Sequence, residues 1–142
     1  GQDVADVPGA GAGGGIAAAM LVFLKGRLRP GSEIVADAVG LDAAVALADL
    51  VITGEGRIDS QTVNGKPPIG VARVAARHGK PVIAIGGCLG HDASAVHAHG
   101  IDATFSTIMK AGTVAEALAN AEFNLRTTAR NVAATLKLGQ SL

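Results

Sequence analysis

The distribution of apolar residues predicts alternating strands and helices from residue 50 onwards. Apolar runs of strand length lie at residues 50–53, 81–85 and 102–108. Helical spacing of apolar positions predicts helices over residues 68–77, 93–98 and 113 to about 138. Thr113 and Glu116 form a capping box that opens the last of these helices. Strand–helix repeats with short connections are typical of a parallel sheet covered by helices on both faces.

In the first third of the chain, the apolar pattern predicts helices and no strands. These helices cover residues 16–24, 33–39 and 41–47, and breaks at Gly26, Pro30-Gly31 and Gly40 separate them. Three strands make a small sheet, so we expect further strands from additional chain or from a partner. The chain opens on Gly1 instead of Met, and we therefore expect it to be a piece of a longer protein.

Composition narrows the classes of partner. The 142 residues suffice for one domain, and twelve basic residues balance twelve acidic ones. The chain therefore has no net charge that would attract nucleic acid or an anionic membrane. Phe23, Phe105 and Phe123 are the only aromatic residues, so base stacking has little to work with. We expect no nucleic-acid partner.

Cysteine use and hydropathy indicate a reducing, cytoplasmic setting without a membrane partner. Cys88 is the single cysteine, so an internal disulfide is excluded. The apolar run over 16–24 is too short to span a bilayer and is followed at once by Lys25 and Arg27.

Charged and polar side chains crowd into residues 53–66, directly after the first predicted strand. Ligands of open α/β sheets bind just beyond the carboxyl ends of strands, so this segment predicts an anion site. Glu55 and Asp59 suit Mg²⁺ or proton transfer, while Arg57 and Lys66 suit phosphate. The alternative is a solvated turn whose charges pair with one another.

Other residues complete the predicted site. Hydroxyl, amide and backbone groups that could orient substrate oxygens or approach an anion are Thr53, Gly54, Gly56, Gln61 and Thr62. Gly86 and Gly87 follow the second predicted strand and would line the same cleft, with Cys88 beside them as a small buried residue. The histidines His91, His97 and His99 lack helical metal-ligand spacing and are interpreted as surface or capping residues.

A glycine-rich segment precedes the first predicted helix. Gly9, Gly11 and Gly14 match the dinucleotide pattern G-x-G-x-x-G, with Gly13 between them. That pattern needs an apolar strand before it, whereas residues 3–8 include two acids and a proline. Small residues at a helix amino terminus still expose N–H groups to an anion. Tight backbone packing is the alternative explanation.

Taken together, these motifs resemble the bacterial glycerate kinases that form 2-phosphoglycerate. The resemblance rests on residues 8–14, on the string Thr-Gly-Glu-Gly-Arg-Ile-Asp-Ser-Gln-Thr over 53–62 with Gly65-Lys66, and on residues 79–83 and 130–136. It covers essentially the whole chain, and the string over 53–62 is highly specific. One extra glycine in residues 13–15 departs from the usual pattern.

The resemblance implies a kinase that uses ATP and Mg²⁺ to phosphorylate a hydroxyl of D-glycerate. It identifies residues 1–142 as the carboxyl-terminal part of the family's α/β domain, a three-layer Rossmann-like parallel sheet within a larger two-domain enzyme. The missing amino-terminal part of the same chain is then a partner, and a homo-oligomer is compatible with the resemblance. Glu55, Arg57, Asp59 and Lys66 become the candidate catalytic residues, with Glu55 and Asp59 toward the metal.

Two other functions stay open on the sequence alone. One is a phosphate- or nucleotide-binding module that binds without catalysis. The other is an NAD-dependent oxidoreductase, which requires a strand immediately before Gly9.

Overall fold

The computed structural model describes residues 3–141 and contains the predicted parallel sheet. Its strands are β1 (Val51–Ile58), β2 (Val82–Leu89) and β3 (Ala103–Ser106). They lie side by side in the order β1-β2-β3, and both pairings are parallel. Val51 lies opposite Val82, and Ile83 lies opposite Ala103. The carboxyl ends of all three strands therefore meet at one edge of the sheet.

Helices account for most of the remaining chain. They are α1 (Ile16–Phe23), α2 (Gly31–Ala38), α3 (Leu41–Ala46), α4 (Pro67–Arg77), α5 (Val114–Ala119) and α6 (Ala121–Gly139). Two 3-10 helices, Ser60–Val63 and Ala93–His99, follow the carboxyl ends of β1 and β2. The second of them replaces the α-helix predicted over residues 93–98.

Apolar side chains pack on both faces of the sheet, which confirms the three-layer α/β prediction. On one face, residues of β1 and β2 form a core with α3, α4 and the second 3-10 helix, in which Ile58, Ile69 and Val96 are fully buried. On the other face, Ile83 and Ile85 of β2 pack with Val132 of α6. The first core is much larger than the second.

The strand boundaries differ from the prediction. β1 continues to Ile58 and β2 to Leu89, so both run on through glycine-rich stretches that composition marks as strand ends. Parallel pairing overrides the low strand propensity of glycine here, because the two strands stay paired from Val51 and Val82 to Ile58 and Leu89, with a gap only at Gly56. β3 covers only Ala103–Ser106 of the predicted 102–108.

The long carboxyl-terminal helix predicted from Thr113 is divided into α5 and α6 at Asn120. The side-chain amide of Asn120 donates to the carbonyl oxygen of Glu116 at 2.8 Å, and its backbone N–H donates to the same oxygen. Asparagine side chains compete in this way with the helical hydrogen-bond ladder. The capping box of Thr113 and Glu116 is confirmed as the start of α5.

Several large apolar side chains stay exposed in the described structure. Ile16, Met20 and Phe23 lie on one stripe of α1, and Phe23 is 80% exposed. Ile52 of β1 is half exposed on the face that carries α6. Within residues 3–141, no helix has the length and hydropathy needed to cross a membrane.

Candidate active site

Four charged side chains converge at the carboxyl end of β1, as the sequence predicts. Lys66 Nζ lies 3.9 Å from Glu55 Oε1 and 3.7 Å from Asp59 Oδ1, so one ammonium group faces two carboxylates. Arg57 Nε donates to Asp59 Oδ2 at 2.9 Å. The Glu55 and Asp59 side chains are only 15% and 14% exposed, whereas Arg57 is 62% exposed. The carboxylates form the floor of the cluster, and the cations lie nearer to solvent.

The chain between Asp59 and Lys66 is held by its own hydrogen bonds. Asp59 Oδ1 accepts from the backbone N–H of Gln61 at 3.0 Å, and Thr62 Oγ1 accepts from the backbone N–H of Asp59 at 3.1 Å. These bonds form a capping box that begins the 3-10 helix Ser60–Val63. Gly65 then turns the chain with φ 88°, and Lys66 lies at the N-cap of α4. Local sequence therefore places Asp59 and Lys66 together.

Thr62 connects this turn to β1. Its hydroxyl donates to Glu55 Oε1, and the whole residue is inaccessible to solvent. Glu55 lies opposite Gly86 of β2, so the carboxylate is positioned by the sheet on one side and by the turn on the other.

Gly54 of β1 and Gly87 of β2 have a structural explanation. A methyl group on Gly54 would collide with the carbonyl oxygen of Ile85, and one on Gly87 would lie 2.5 Å from the carbonyl oxygen of Gly56. The two strands approach too closely there for side chains. The expected ligand contacts of Gly54, Gly56, Gly86 and Gly87 stay predictions, as does that of Thr53, half-buried opposite Ala84.

Sequence reasoning missed one carboxylate beside the cluster. A methyl group on Gly90 would lie 2.8 Å from both Asp59 Cβ and Asp92 Oδ1, so Asp92 lies next to Asp59. A hydrogen bond from the Ser60 side chain holds the pKa of Asp92 below its ordinary value. The position of Asp92 in the sequence could have indicated this, because Asp92 lies shortly after β2 as Asp59 lies directly after β1, at the edge where α/β sheets bind ligands.

The glycine-rich segment forms turns without a preceding strand. In the described part of the chain, residues 3–15 contain no strand and no helix. The NAD-dependent hypothesis fails on this point, because its fingerprint requires a strand before the first glycine. Within residues 3–141, no hydrogen bond or ion pair joins residues 9–15 to residues 53–66. The structure therefore brings together the charged residues of the second motif.

The amide groups of this segment divide into two sets. The N–H groups of Gly15, Ala17 and Ala18 at the start of α1 donate to carbonyl oxygens of the segment itself. The predicted anion-binding amides are those of Gly9, Gly11, Gly13 and Gly14. None of these four N–H groups donates a backbone hydrogen bond among residues 3–141.

The charged cluster suits a divalent cation that is shared with a phosphate. Lys66 already places one positive charge between Glu55 and Asp59. No cluster of three or more His, Cys, Asp or Glu residues in the described part of the chain could enclose a metal alone. Mg²⁺ commonly uses one or two carboxylates and completes its coordination with water and substrate phosphate. The donor set therefore fits Mg²⁺ bound together with a phosphate group.

A comparison with protein families gives the assignment. The sequence profile described as the Glycerate kinase family matches residues 1–137. The chain belongs to the glycerate kinase family.

Individual glycerate kinases agree with this assignment. The protein named Glycerate 2-kinase of Escherichia coli (strain K12) is 53% identical over 137 residues, which cover 96% of this chain and 36% of that protein. The protein named Glycerate kinase of Bacillus cereus (strain ATCC 10987 / NRS 248) is 52% identical over 136 residues, with the same two coverages. A crystal structure from Salmonella typhimurium LT2 that carries the name glycerate kinase 2 superposes with a TM-score of 0.73 at 57% identity, covering 94% of this chain and 34% of that one.

The chain thus spans about a third of the length of the glycerate kinases that it matches. The resemblance seen in the sequence is confirmed, and so is the expectation that these residues correspond to part of a larger enzyme.

Proposed function

We propose that residues 53–66 form one side of the active site of an ATP-dependent kinase that converts D-glycerate to 2-phosphoglycerate. The observation that carries this proposal is the ammonium group of Lys66 between the carboxylates of Glu55 and Asp59 at the carboxyl edge of a parallel sheet. The name of the Escherichia coli relative, Glycerate 2-kinase, supports the choice of substrate and product. Turnover is expected of the complete kinase polypeptide that carries these residues.

Phosphoryl transfer depends on positioning and on neutralising charge. Lys66 and the exposed guanidinium of Arg57 meet the transferred phosphoryl group or the carboxylate of glycerate. One of the two carboxylates accepts the proton of the glycerate hydroxyl as that oxygen bonds to the γ-phosphorus and the bond to ADP breaks. The other carboxylate supplies a fixed negative charge and helps to position the reacting groups.

Of Glu55 and Asp59, the carboxylate that does not accept the proton would hold Mg²⁺. A metal held there would neutralise charge on the transferred phosphate. Gln61 borders the Asp59 carboxylate through its backbone N–H, and its exposed side chain is available to a substrate oxygen.

The amides of Gly9, Gly11, Gly13 and Gly14 supply further donors in this proposal. They are free of backbone partners among residues 3–141, and backbone N–H groups before a helix favour anions. A phosphate or carboxylate group is the ligand that these amides suit.

The decisive experiment replaces Asp59 by Asn in the complete kinase. Asparagine is as good an N-cap as aspartate, so the 3-10 helix should persist while the negative charge is lost. We expect kcat for D-glycerate to fall by about 100-fold or more, with an unchanged melting temperature. Production of 2-phosphoglycerate is measured directly.

The matched control is Asp37→Asn on α2, which removes an exposed carboxylate paired with Arg29. It should leave kcat unchanged. Wild-type turnover in the Asp59→Asn enzyme would remove Asp59 from the mechanism.

A further inference from the structure

Thr62 is the one polar residue of the charged cluster that solvent cannot reach. Its relative exposure is 0%, whereas Glu55, Asp59 and Lys66 all keep accessible side-chain surface. The 3-10 helix that contains Thr62 packs against α4 and against the second 3-10 helix. A substrate group cannot contact the Thr62 hydroxyl without displacing this packing.

The Thr62 hydroxyl both accepts and donates a hydrogen bond. The oxygen accepts from the Asp59 backbone N–H at 3.1 Å, and the single hydroxyl proton goes to Glu55 Oε1. A threonine hydroxyl has one donor, so this arrangement leaves no proton for a ligand. The hydroxyl is therefore committed to two residues of the proposed site.

No other group in the described structure holds Glu55 as closely. Lys66 Nζ lies 3.9 Å from Glu55 Oε1, which is too long for a hydrogen bond. Among residues 3–141, Thr62 is the only hydrogen-bond donor to the Glu55 carboxylate. The second oxygen, Oε2, is left for a ligand.

We infer that Thr62 is a positioning residue, which orients the Glu55 carboxylate and holds the Asp59 backbone so that both carboxylates face one ligand. Its effect on catalysis rests on the proposed function, whereas its effect on the two carboxylates does not. This assignment replaces the direct substrate contact that the sequence suggests for Thr62.

The first test compares Thr62→Val with Thr62→Ser in the complete kinase. Valine keeps the shape of threonine but removes the hydroxyl, whereas serine keeps the hydroxyl. We expect Thr62→Val to lower kcat by about 10- to 100-fold, since small displacements of catalytic groups have effects of this size. KM for ATP and D-glycerate should change by less than about threefold, because ground-state binding is not removed. Thr62→Ser should restore most of kcat.

Melting curves of the same samples separate loss of fold from loss of positioning. Thr62→Ala is the second variant without a hydroxyl, in case valine prevents folding. Unchanged kcat in a folded variant without the hydroxyl would overturn the inference. Equal losses in Thr62→Ser and Thr62→Val would also overturn it, because the hydroxyl would then be irrelevant.

A double-mutant cycle with Glu55→Gln tests whether Thr62 acts through Glu55. If it does, Thr62→Val should lower kcat much less in the Glu55→Gln background than in the wild type. Additive losses would show that Thr62 acts by another route.

Hydrogen exchange separates this inference from the proposed function. The Asp59 amide should exchange faster in Thr62→Val than in wild type or Thr62→Ser, because its acceptor is lost. This readout needs no turnover, so a protein without glycerate kinase activity would disprove the proposed function alone. Unchanged protection of the Asp59 amide in Thr62→Val would disprove the positioning role.

Discussion

At the scale of single residues, neighbouring glycines of β1 differ in the reason for having no side chain. Gly54 faces the carbonyl oxygen of Ile85 so closely that a methyl group cannot fit. Gly56, two residues further on, has no atom within 4 Å of the position where its Cβ would lie. Strand packing therefore explains Gly54, whereas Gly56 leaves open space beside Glu55 and Arg57.

This difference predicts opposite outcomes for two alanine substitutions. We expect Gly54→Ala to lower the free energy of unfolding by about 1–3 kcal/mol, the usual cost of overpacking. Gly56→Ala should change it by less than about 0.5 kcal/mol, as a substitution into open space does. Urea denaturation of both variants measures the two values.

Gly56→Ala also serves as a probe of the site. A loss of kcat at full stability would indicate that a ligand approaches the Gly56 backbone. Equal destabilisation by the two substitutions would contradict the packing explanation for Gly54.

At the scale of elements, an exposed ion cluster connects α3 to the end of α4. Asp42 Oδ1 lies 2.8 Å from Arg77 Nη2 and 3.1 Å from His78 Nε2. The nearby His78 ring and the Arg77 guanidinium hold the pKa of the Asp42 carboxyl below its ordinary value. The folded state therefore favours the ionised carboxylate.

The direction of this pKa shift predicts how stability depends on pH. The pKa of Asp42 is lower in the folded state than in the unfolded state. The ionised Asp42 carboxylate therefore stabilises the fold fully above about pH 4, and this stabilisation is lost as pH falls through the folded-state pKa. Asp42→Asn should therefore destabilise the protein at neutral pH and lose that effect in acid. Urea midpoints of variant and wild type across this pH range measure the difference.

Glu122→Gln on α6 is the control for Asp42→Asn. Glu122 also pairs with an arginine, Arg126, but both side chains are about four-fifths exposed. Such pairs contribute little to stability, so the control should show almost no effect at any pH. If Asp42→Asn destabilises the protein equally in acid and at neutral pH, the ion-pair explanation is wrong.

At the scale of the whole molecule, the described structure leaves much apolar surface uncovered. The stripe of Ile16, Met20 and Phe23 on α1 is exposed, as are Val114 and Leu118 on α5. Contiguous apolar patches are typical of interaction surfaces, whereas single apolar residues on a surface are ordinary. The chain also spans only about a third of the length of its relatives.

We therefore expect the 142-residue chain to self-associate when it is prepared alone. Its apparent mass in size-exclusion chromatography with light scattering should rise with concentration. Phe23→Glu interrupts the α1 stripe and should reduce this association. Leu47→Glu is the control, because Leu47 is 90% exposed but lies outside the stripe. A chain that stays monomeric at every concentration would show that this surface does not drive association.

The amino-acid sequence by itself determined the order and type of most elements and the family. Apolar periodicity and glycine and proline breaks are local signals, so they placed the three strands and α4. The string over residues 53–62 identified the family because its charges and glycines occur in a specific order. Asp59 and Lys66 are also brought together locally, by a capping box and a short turn.

Only the tertiary structure decided which predicted residues lie together and which are accessible. Parallel pairing extended β1 and β2 through their glycines, since each strand supplies the other's backbone hydrogen bonds. The position of Asp92 beside Asp59 follows from packing between distant parts of the chain. Burial of Thr62 likewise depends on α4 and the second 3-10 helix. Local patterns carry no information on such contacts, because they arise between residues that are distant in sequence.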